Sequence, residues 1–124
     1  MINVSEKFEA LPSEFHRSAI PLTTLGIAEL AWKHKHIHEV IDWLTCNRLS
    51  ILGGDVYKLE NSEITSAYCD WFVQRKARES WDEYTARGAK KAKDYIRYFH
   101  EKCGENYCYS LVFVSESDFL LLHN

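Results

Sequence analysis

The chain has 124 residues, of which 46% are hydrophobic and 14% aromatic, and its formal net charge is −3. This length and composition predict one globular domain over residues 1–124 and exclude extensive disorder. The weak negative charge argues against a nucleic-acid-binding protein, and the start of the chain lacks the pattern of a signal peptide. No apolar run approaches the roughly 20 residues of a membrane span, so we expect a cytoplasmic protein without membrane contact.

The first part of the chain carries one short helical pattern. Val4, Phe8 and Leu11 lie at the helical spacing i, i+4 and i+7, and Ser5 is of a residue type that caps helix N-termini. Pro12 is expected to end this helix, because proline cannot continue the hydrogen-bond ladder. Residues 1–24 otherwise show no regular pattern.

Residues 27–47 are predicted to be largely helical. A single apolar stripe at spacings of three and four marks the buried side of this helix: Ile37, Val40, Ile41 and Leu44. Gly26 indicates a break before the segment, and residues 27–32 belong either to the helix or to a short element of their own. Asn47 suits the left-handed position that follows a helix end.

Two β-strands are predicted next, at residues 49–59 and 66–74, and the polar residues 60–63 form a turn between them. Gly53 and Gly54 interrupt the first strand. Glycine adds no packing to a strand, so the pair indicates a bulge, a tight bend or the close approach of another backbone or a ligand. We interpret both glycines as architectural, because a phosphate-binding loop needs more glycine and a helix directly after it.

A long helix over residues 81–103 has the clearest pattern in the chain. Ser80 and Glu83 match the capping box, in which each side chain binds the backbone N–H of the other residue. Apolar and small residues then recur at spacings of three and four, and the small ones in the middle predict close packing on a sheet. Gly104 is placed to end the helix in the left-handed conformation.

Residues 107–114 are predicted to be a central strand, because apolar side chains alternate on both of its faces. The tail at 119–122 is expected either to dock on the core or to add an edge strand. The order helix, strand, strand, helix, strand predicts an α+β fold. Its small, mainly antiparallel sheet of three or more strands packs against two main helices.

The run Ile-Leu-Gly-Gly-Asp-Val-Tyr at 51–57 resembles a family of bacterial immunity proteins that accompany polymorphic toxins, including toxins of contact-dependent growth inhibition. The Asp-Trp pair at 70–71 and the helix residues 92–98 also fit, and the resemblance covers residues 25–115. It implies a small cytosolic protein that binds a cognate toxin domain and blocks its active site or its access to a target, without catalysis or a cofactor. The positions that carry the resemblance and are expected to be structural are Gly53, Gly54, Trp71, Tyr95 and Ile96.

Acidic residues around the two predicted strands are the candidate contacts to a toxin. An acidic patch speeds the encounter with a basic nuclease domain and imitates a phosphate backbone. The alternative for Asp55 is that it caps a local turn, and the alternative for Asp70 is that it is only solvated, with Trp71 in the core. The full candidate set is Asp55, Tyr57, Glu60, Glu63 and Asp70.

His34, His36 and His38 alternate along the chain. On a strand all three would line one face and could bind a metal, whereas on a helix only His34 and His38 share a face. The surrounding apolar pattern favours a helix, so we expect solvated histidines and no metal site.

The four cysteines are expected to be reduced in a cytosolic protein and mostly buried as small apolar residues. Cys103 and Cys108 lie near His100, but their spacing matches no standard zinc site. The short motifs of serine hydrolases, zinc proteases and thiol oxidoreductases are also missing, which favours a protein that is not an enzyme.

Basic residues on the solvent side of helix 81–103 support an alternative function, a small nucleic-acid-associated protein. The alternative is weaker because the chain as a whole is acidic. The basic residues are also explained by an ordinary solvated helix face. The basic residues concerned are Arg87, Lys90, Lys91, Lys93 and Arg97.

Overall fold

Five antiparallel strands form one sheet in the order β1-β2-β5-β3-β4 in the computed structural model, which describes residues 4–122. The strands are β1 (Ile20–Pro21), β2 (Leu30–Lys33), β3 (Ser50–Glu60), β4 (Glu63–Phe72) and β5 (Tyr107–Val114). The helices are α1 (Glu6–Glu9), α2 (Ser13–Ser18), α3 (His34–Cys46), α4 (Trp81–Cys103) and α5 (Glu116–Leu122). This architecture confirms the predicted α+β fold, with α3 and α4 as the two main helices.

Strand β5 lies in the middle of the sheet, as its apolar alternation predicts. Tyr109 and Leu111 are buried on the side that faces α3 and α4, within the main core. Cys108 is buried on the opposite side, in a second and smaller cluster. A strand with buried residues on both faces has no favourable place at the edge of a sheet.

Helix α4 begins with the predicted capping box and crosses the sheet closely. Ser80 Oγ accepts the Glu83 N–H at 3.1 Å, and Glu83 Oε1 accepts the Ser80 N–H at 2.9 Å. A Cβ on Gly88 would lie 2.7 Å from the Ile51 carbonyl oxygen, so the small residue permits the close packing on β3. Gly104 ends the helix with φ 90° and ψ −162°, outside the left-handed conformation that we predicted. Among residues 4–122 no helix has the length and apolar character of a membrane span.

The segment before α3 corrects the prediction of a helix over residues 27–47. Leu30–Lys33 is strand β2, and the helix begins only at His34. Trp32 lies opposite Tyr109 of β5 and donates its indole N–H to the Phe15 carbonyl oxygen at 2.9 Å. A short run that is buried on both faces shows no alternation, so its sequence cannot distinguish a strand from a helix.

The N-terminal part forms two short helices, where the sequence predicted one. Pro12 separates α1 from α2, which was not predicted. Phe8 of α1 and Phe15 of α2 are both buried, and the ring centroids of Phe8 and Phe113 lie 5.2 Å apart. Ser5 precedes α1 but makes no side-chain capping bond.

The structure corrects the prediction for the end of α3 and decides between the two alternatives for the tail. Asn47 has φ −99°, and Arg48 takes the left-handed conformation one residue later with φ 57°. The tail is helical and does not add an edge strand. It docks on the core through Phe119, whose ring lies 5.5 Å from that of Trp81 and 5.8 Å from that of Tyr84.

The cysteines are less buried than predicted. Cys108 is buried and Cys69 partly buried, whereas Cys46 and Cys103 are exposed at the ends of α3 and α4. Each of the four is a free thiol. The prediction failed for the two helical cysteines because both lie in the last turn of their helices, where the helix leaves the core.

Candidate functional site

The glycine pair of β3 accommodates other parts of the protein itself. The register of β3 against β5 shifts just before Gly53, which forms an irregularity of the predicted kind. A Cβ on Gly54 would lie 2.7 Å from Cζ2 of Trp71 and closer still to the Ser110 carbonyl oxygen. Trp71 is 6% exposed and stacks on Tyr95 of α4 with ring centroids 4.8 Å apart. Ile96, the next residue of α4, is fully buried in the same core.

The face of the sheet opposite α3 and α4 is covered only in part. Segment 22–27, with a 3-10 turn at Thr23–Leu25, covers one part and buries Leu22 against Tyr57. The uncovered part is the open face. Two shallow grooves run across it and share two carboxylates. The residues of the open face are Asp55, Asp70, Phe72 and Val112, with Tyr68 at its margin.

Three carboxylates from three segments meet at the open face. Asp55 of β3 lies directly opposite Asp70 of β4, and its partner on β5 is Ser110. The Ser110 hydroxyl bonds the carboxylate of Glu29 at 2.9 Å. Burial raises the pKa of Asp55, and the charges of Glu29 and Asp70 raise it further. Within residues 4–122, no Lys or Arg forms a salt bridge with these three acids.

Tyr57 lies beside this cluster but beneath the covering segment. Only 6% of the residue is exposed. Burial raises the pKa of Tyr57 to about 12, and the charges of Asp55 and Glu29 contribute to the shift. Its hydroxyl is therefore protonated at neutral pH, and a partner would reach it only if segment 22–27 moved.

Glu60 and Glu63 lie at the other end of the hairpin, opposite each other at the turn. Lys58 forms a salt bridge with Glu60 at 3.0 Å. At the rise of a strand the turn is about 16 Å from Asp55. The structure therefore brings Asp55 together with Asp70 and with Glu29, which the sequence did not single out, and leaves the two glutamates as a separate pair.

Two exposed aromatic residues flank the acids, and the sequence analysis missed both as candidates. Tyr68 is 94% exposed and Phe72 72% exposed. Tyr68 lies in a bulge of β4 with φ 56°, and its N–H bonds Ser66 Oγ at 3.0 Å. The left-handed region is costly for a residue with a Cβ and is concentrated at functional sites. The aromatic content of residues 66–74 could have pointed to a binding surface. Which of these aromatic side chains are exposed depends, however, on the register of the strand.

Three histidines meet where α3 begins and α4 ends. The rings of His34 and His100 stack with centroids 3.8 Å apart, and His38 meets His34 edge-on at 5.1 Å. Stacking brings ring faces together and does not aim the nitrogens at a common point. The described part of the chain contains no His, Cys, Asp and Glu cluster suited to a metal ion. Burial lowers the pKa of both His34 and His38, and the neighbouring imidazole lowers each further.

The basic face of α4 is largely paired with acids. Arg87 binds Glu79 at 2.7 Å, next to the start of the helix. Further along, the ion pairs are Lys90 with Asp94 at 2.7 Å, Lys93 with Asp42 at 2.5 Å and Arg97 with Asp94 at 3.3 Å. A surface of alternating charge does not form the continuous positive stripe that is typical of nucleic-acid-binding proteins.

The fold and the open face define a small α+β protein whose antiparallel sheet is covered by helices on one side only. The family model of immunity protein 40 matches residues 21–113, from β1 to β5. The chain therefore belongs to this immunity protein family, which confirms the resemblance to the immunity proteins of polymorphic toxin systems. A family of this kind implies a toxin protein as partner, and such families generally have no enzymatic activity. Searches of curated proteins and of solved structures each gave no significant match.

Proposed function

We propose that this immunity protein neutralises a cognate toxin domain by binding it through the open face. The observation that carries the proposal is the combination, on one face of the sheet, of exposed aromatic rings with carboxylates that form no salt bridge to any Lys or Arg of residues 4–122. Tight protein interfaces concentrate their binding energy in a few aromatic or charged anchors that become desolvated in the complex. Tyr68 and Phe72 are such anchors, and Asp55 and Asp70 lie between them.

The crowding of carboxylates supports a basic partner. Burial is the main cause of the raised pKa of Asp55, and the negative charges of Glu29 and Asp70 raise it further. A Lys or Arg side chain of the partner removes the repulsion when it binds between Asp55 and Asp70. Complementary charge also accelerates the encounter. A basic toxin domain, as in nucleases that bind phosphate backbones, fits this surface.

Neutralisation would then be steric and would require no reaction or cofactor. A stable interface buries about 1,600 Å², roughly half of it on each partner. The open face supplies the centre of such an interface, and Glu60 and Glu63 at the hairpin turn would extend its rim. The toxin's active site, or its route to the target, lies under this surface in the complex. The protein would act in the cytoplasm of the cell that it protects, against a toxin such as those of contact-dependent growth inhibition.

The test is co-expression with the toxin encoded by the neighbouring open reading frame. The protein is expected to restore growth and to form a stable complex with the toxin domain. Asp70→Lys reverses the charge of the open face and is expected to weaken binding at least tenfold, since removing or reversing one partner of a desolvated charge pair costs about 2–5 kcal/mol. Glu39→Lys is the matched control, because it makes the same change of charge at an exposed position of α3, on the other side of the sheet.

Two results would contradict the proposal. If the toxin stays toxic in the presence of the protein and no complex forms in solution, the proposed function is wrong. Equal loss of affinity in the Asp70→Lys and Glu39→Lys variants would show that net charge matters and that the open face does not contact the toxin.

A further inference from the structure

The outer edge of β4 is the long free edge of the sheet. β4 is the last strand in the order, and its residues Glu63–Phe72 pair on one side only, with β3. The opposite edge of the described sheet is β1, which is two residues long and includes Pro21. Free edges with unpaired N–H and C=O groups are templates for another strand unless the protein protects them.

The backbone alternation identifies the groups that point outward. The Val73 N–H donates to the Leu52 carbonyl oxygen at 2.7 Å, so Val73 points its backbone groups toward β3. Because these groups alternate along a strand, Trp71 also points inward, and Asp70 and Phe72 point their N–H and C=O groups away from the sheet. These two residues also place their side chains on the open face.

The bulge of β4 leaves the edge at Cys69–Phe72 regular. The register against β3 shifts between Val56 and Tyr57, where β4 holds the extra residues 67 and 68. A bulge normally protects an edge against pairing. Here it separates the edge near the turn from the edge at Cys69–Phe72, and only the second part lies beside the acids. The exposed ring of Tyr68 marks the boundary between the two parts.

The charge of the edge distinguishes a toxin strand from a second copy of this protein. Residues 63–72 contain no Lys or Arg. Antiparallel pairing of two copies through Asp70 would place the two Asp70 side chains opposite or diagonal to each other, depending on the register, beside Asp55 of each copy. Like charges opposite each other across a strand pair are destabilising. The acids therefore oppose self-association and favour a basic segment at the same edge.

We propose that an extended segment of the toxin domain pairs with Asp70–Phe72 and adds a strand to the sheet outside β4. The inference rests on the proposed function and specifies how the toxin is held. The segment places a Lys or Arg next to Asp70 and an apolar side chain next to the ring of Phe72. Main-chain hydrogen bonds supply affinity in this mode of recognition, and alternate side chains supply specificity.

Two measurements test the added strand on the complex with the neighbouring toxin domain. Amide hydrogen exchange is expected to slow at Asp70 and Phe72 on binding, because both N–H groups acquire an acceptor. Phe72→Pro removes the side chain and the N–H, whereas Phe72→Ala removes the side chain alone. Loss of one interfacial hydrogen bond is worth about tenfold in affinity, so the proline variant is expected to bind about tenfold more weakly than the alanine variant.

The possible outcomes separate this inference from the proposed function. A tight complex in which both amides exchange as in the free protein, and in which both variants bind equally, would overturn the added strand and leave the function standing. Slowed exchange in the protein alone, increasing with its concentration, would assign the edge to a second copy. Absence of any complex would overturn the proposed function. If Phe72→Pro does not fold, the exchange measurement on the unmodified chain still decides.

Discussion

The contact between Gly54 and Trp71 gives a sharp prediction for stability. In Gly54→Ala the new methyl group would lie 2.7 Å from Cζ2 of Trp71, and it would be closer still to the Ser110 carbonyl oxygen. Neither obstacle can move easily. The carbonyl belongs to the central strand β5, and the indole ring is held against Tyr95 of α4. The substitution is therefore expected to displace β3 from its neighbours.

The magnitude follows from two opposing contributions. Overpacking of a close-packed site costs about 1–3 kcal/mol, and a main-chain obstacle places this site at the upper end. Replacing glycine also reduces the conformational entropy of the unfolded chain, which returns about 0.5–1 kcal/mol. We expect Gly54→Ala to lower the free energy of unfolding by about 2 kcal/mol.

Urea unfolding, followed by tryptophan fluorescence, measures this difference. With a slope of about 2 kcal/mol per molar urea, the midpoint is expected to fall by about 1 M. Asp55→Ala is the matched control, because it changes the adjacent residue on the opposite side of β3. It is expected to leave the midpoint unchanged or to raise it slightly. A Gly54→Ala midpoint within about 0.2 M of the original protein would show that Trp71 is not held over Gly54.

Two further predictions concern the open face. Because the pKa of Asp55 is raised in the folded state, its ionisation opposes folding. Asp55→Asn is therefore expected to stabilise the protein at pH 7. Thermal unfolding should show that this gain falls as the pH is lowered through the raised pKa of Asp55 and is gone below the ordinary aspartate pKa of about 4. Tyr68→Gly is expected to be about 1 kcal/mol more stable than Tyr68→Ala in urea, since glycine tolerates φ 56°. A pH-independent gain in the first case, or equal stability in the second, would contradict the reasoning.

The predictable parts of the fold carry local signals. The capping box at Ser80 and Glu83 defined the start of α4, and alternation on two faces defined β5 as central. Strand β2 has no such signal, because all of Leu30–Trp32 is buried and the run therefore shows no alternation. Its assignment depends on pairing with β5, almost 80 residues further along the chain.

The candidate site shows why its members were only partly predictable. A regular hairpin around the turn at Asn61 would place Asp55 opposite Tyr68. The extra residues of the bulge place Asp70 there, and they also turn Tyr68 into solvent. Neither effect can be read from composition. Glu29 joins the cluster through its bond with Ser110, which depends on the non-local pairing of β2 with β5.

Strands β3 and β4 separate the core contacts from the surface that we propose for toxin binding. Gly54 and Trp71 face the core, and the residues that directly follow and precede them, Asp55 and Asp70, face outward. Because the side-chain period of a strand is two, a change at Asp70 alters the charge that a toxin meets without touching a core contact. A change at Trp71 removes the ring that covers Gly54 and stacks on Tyr95. If the open face binds the toxin as proposed, the same pair of strands can hold the scaffold constant while the outward residues vary with the toxin.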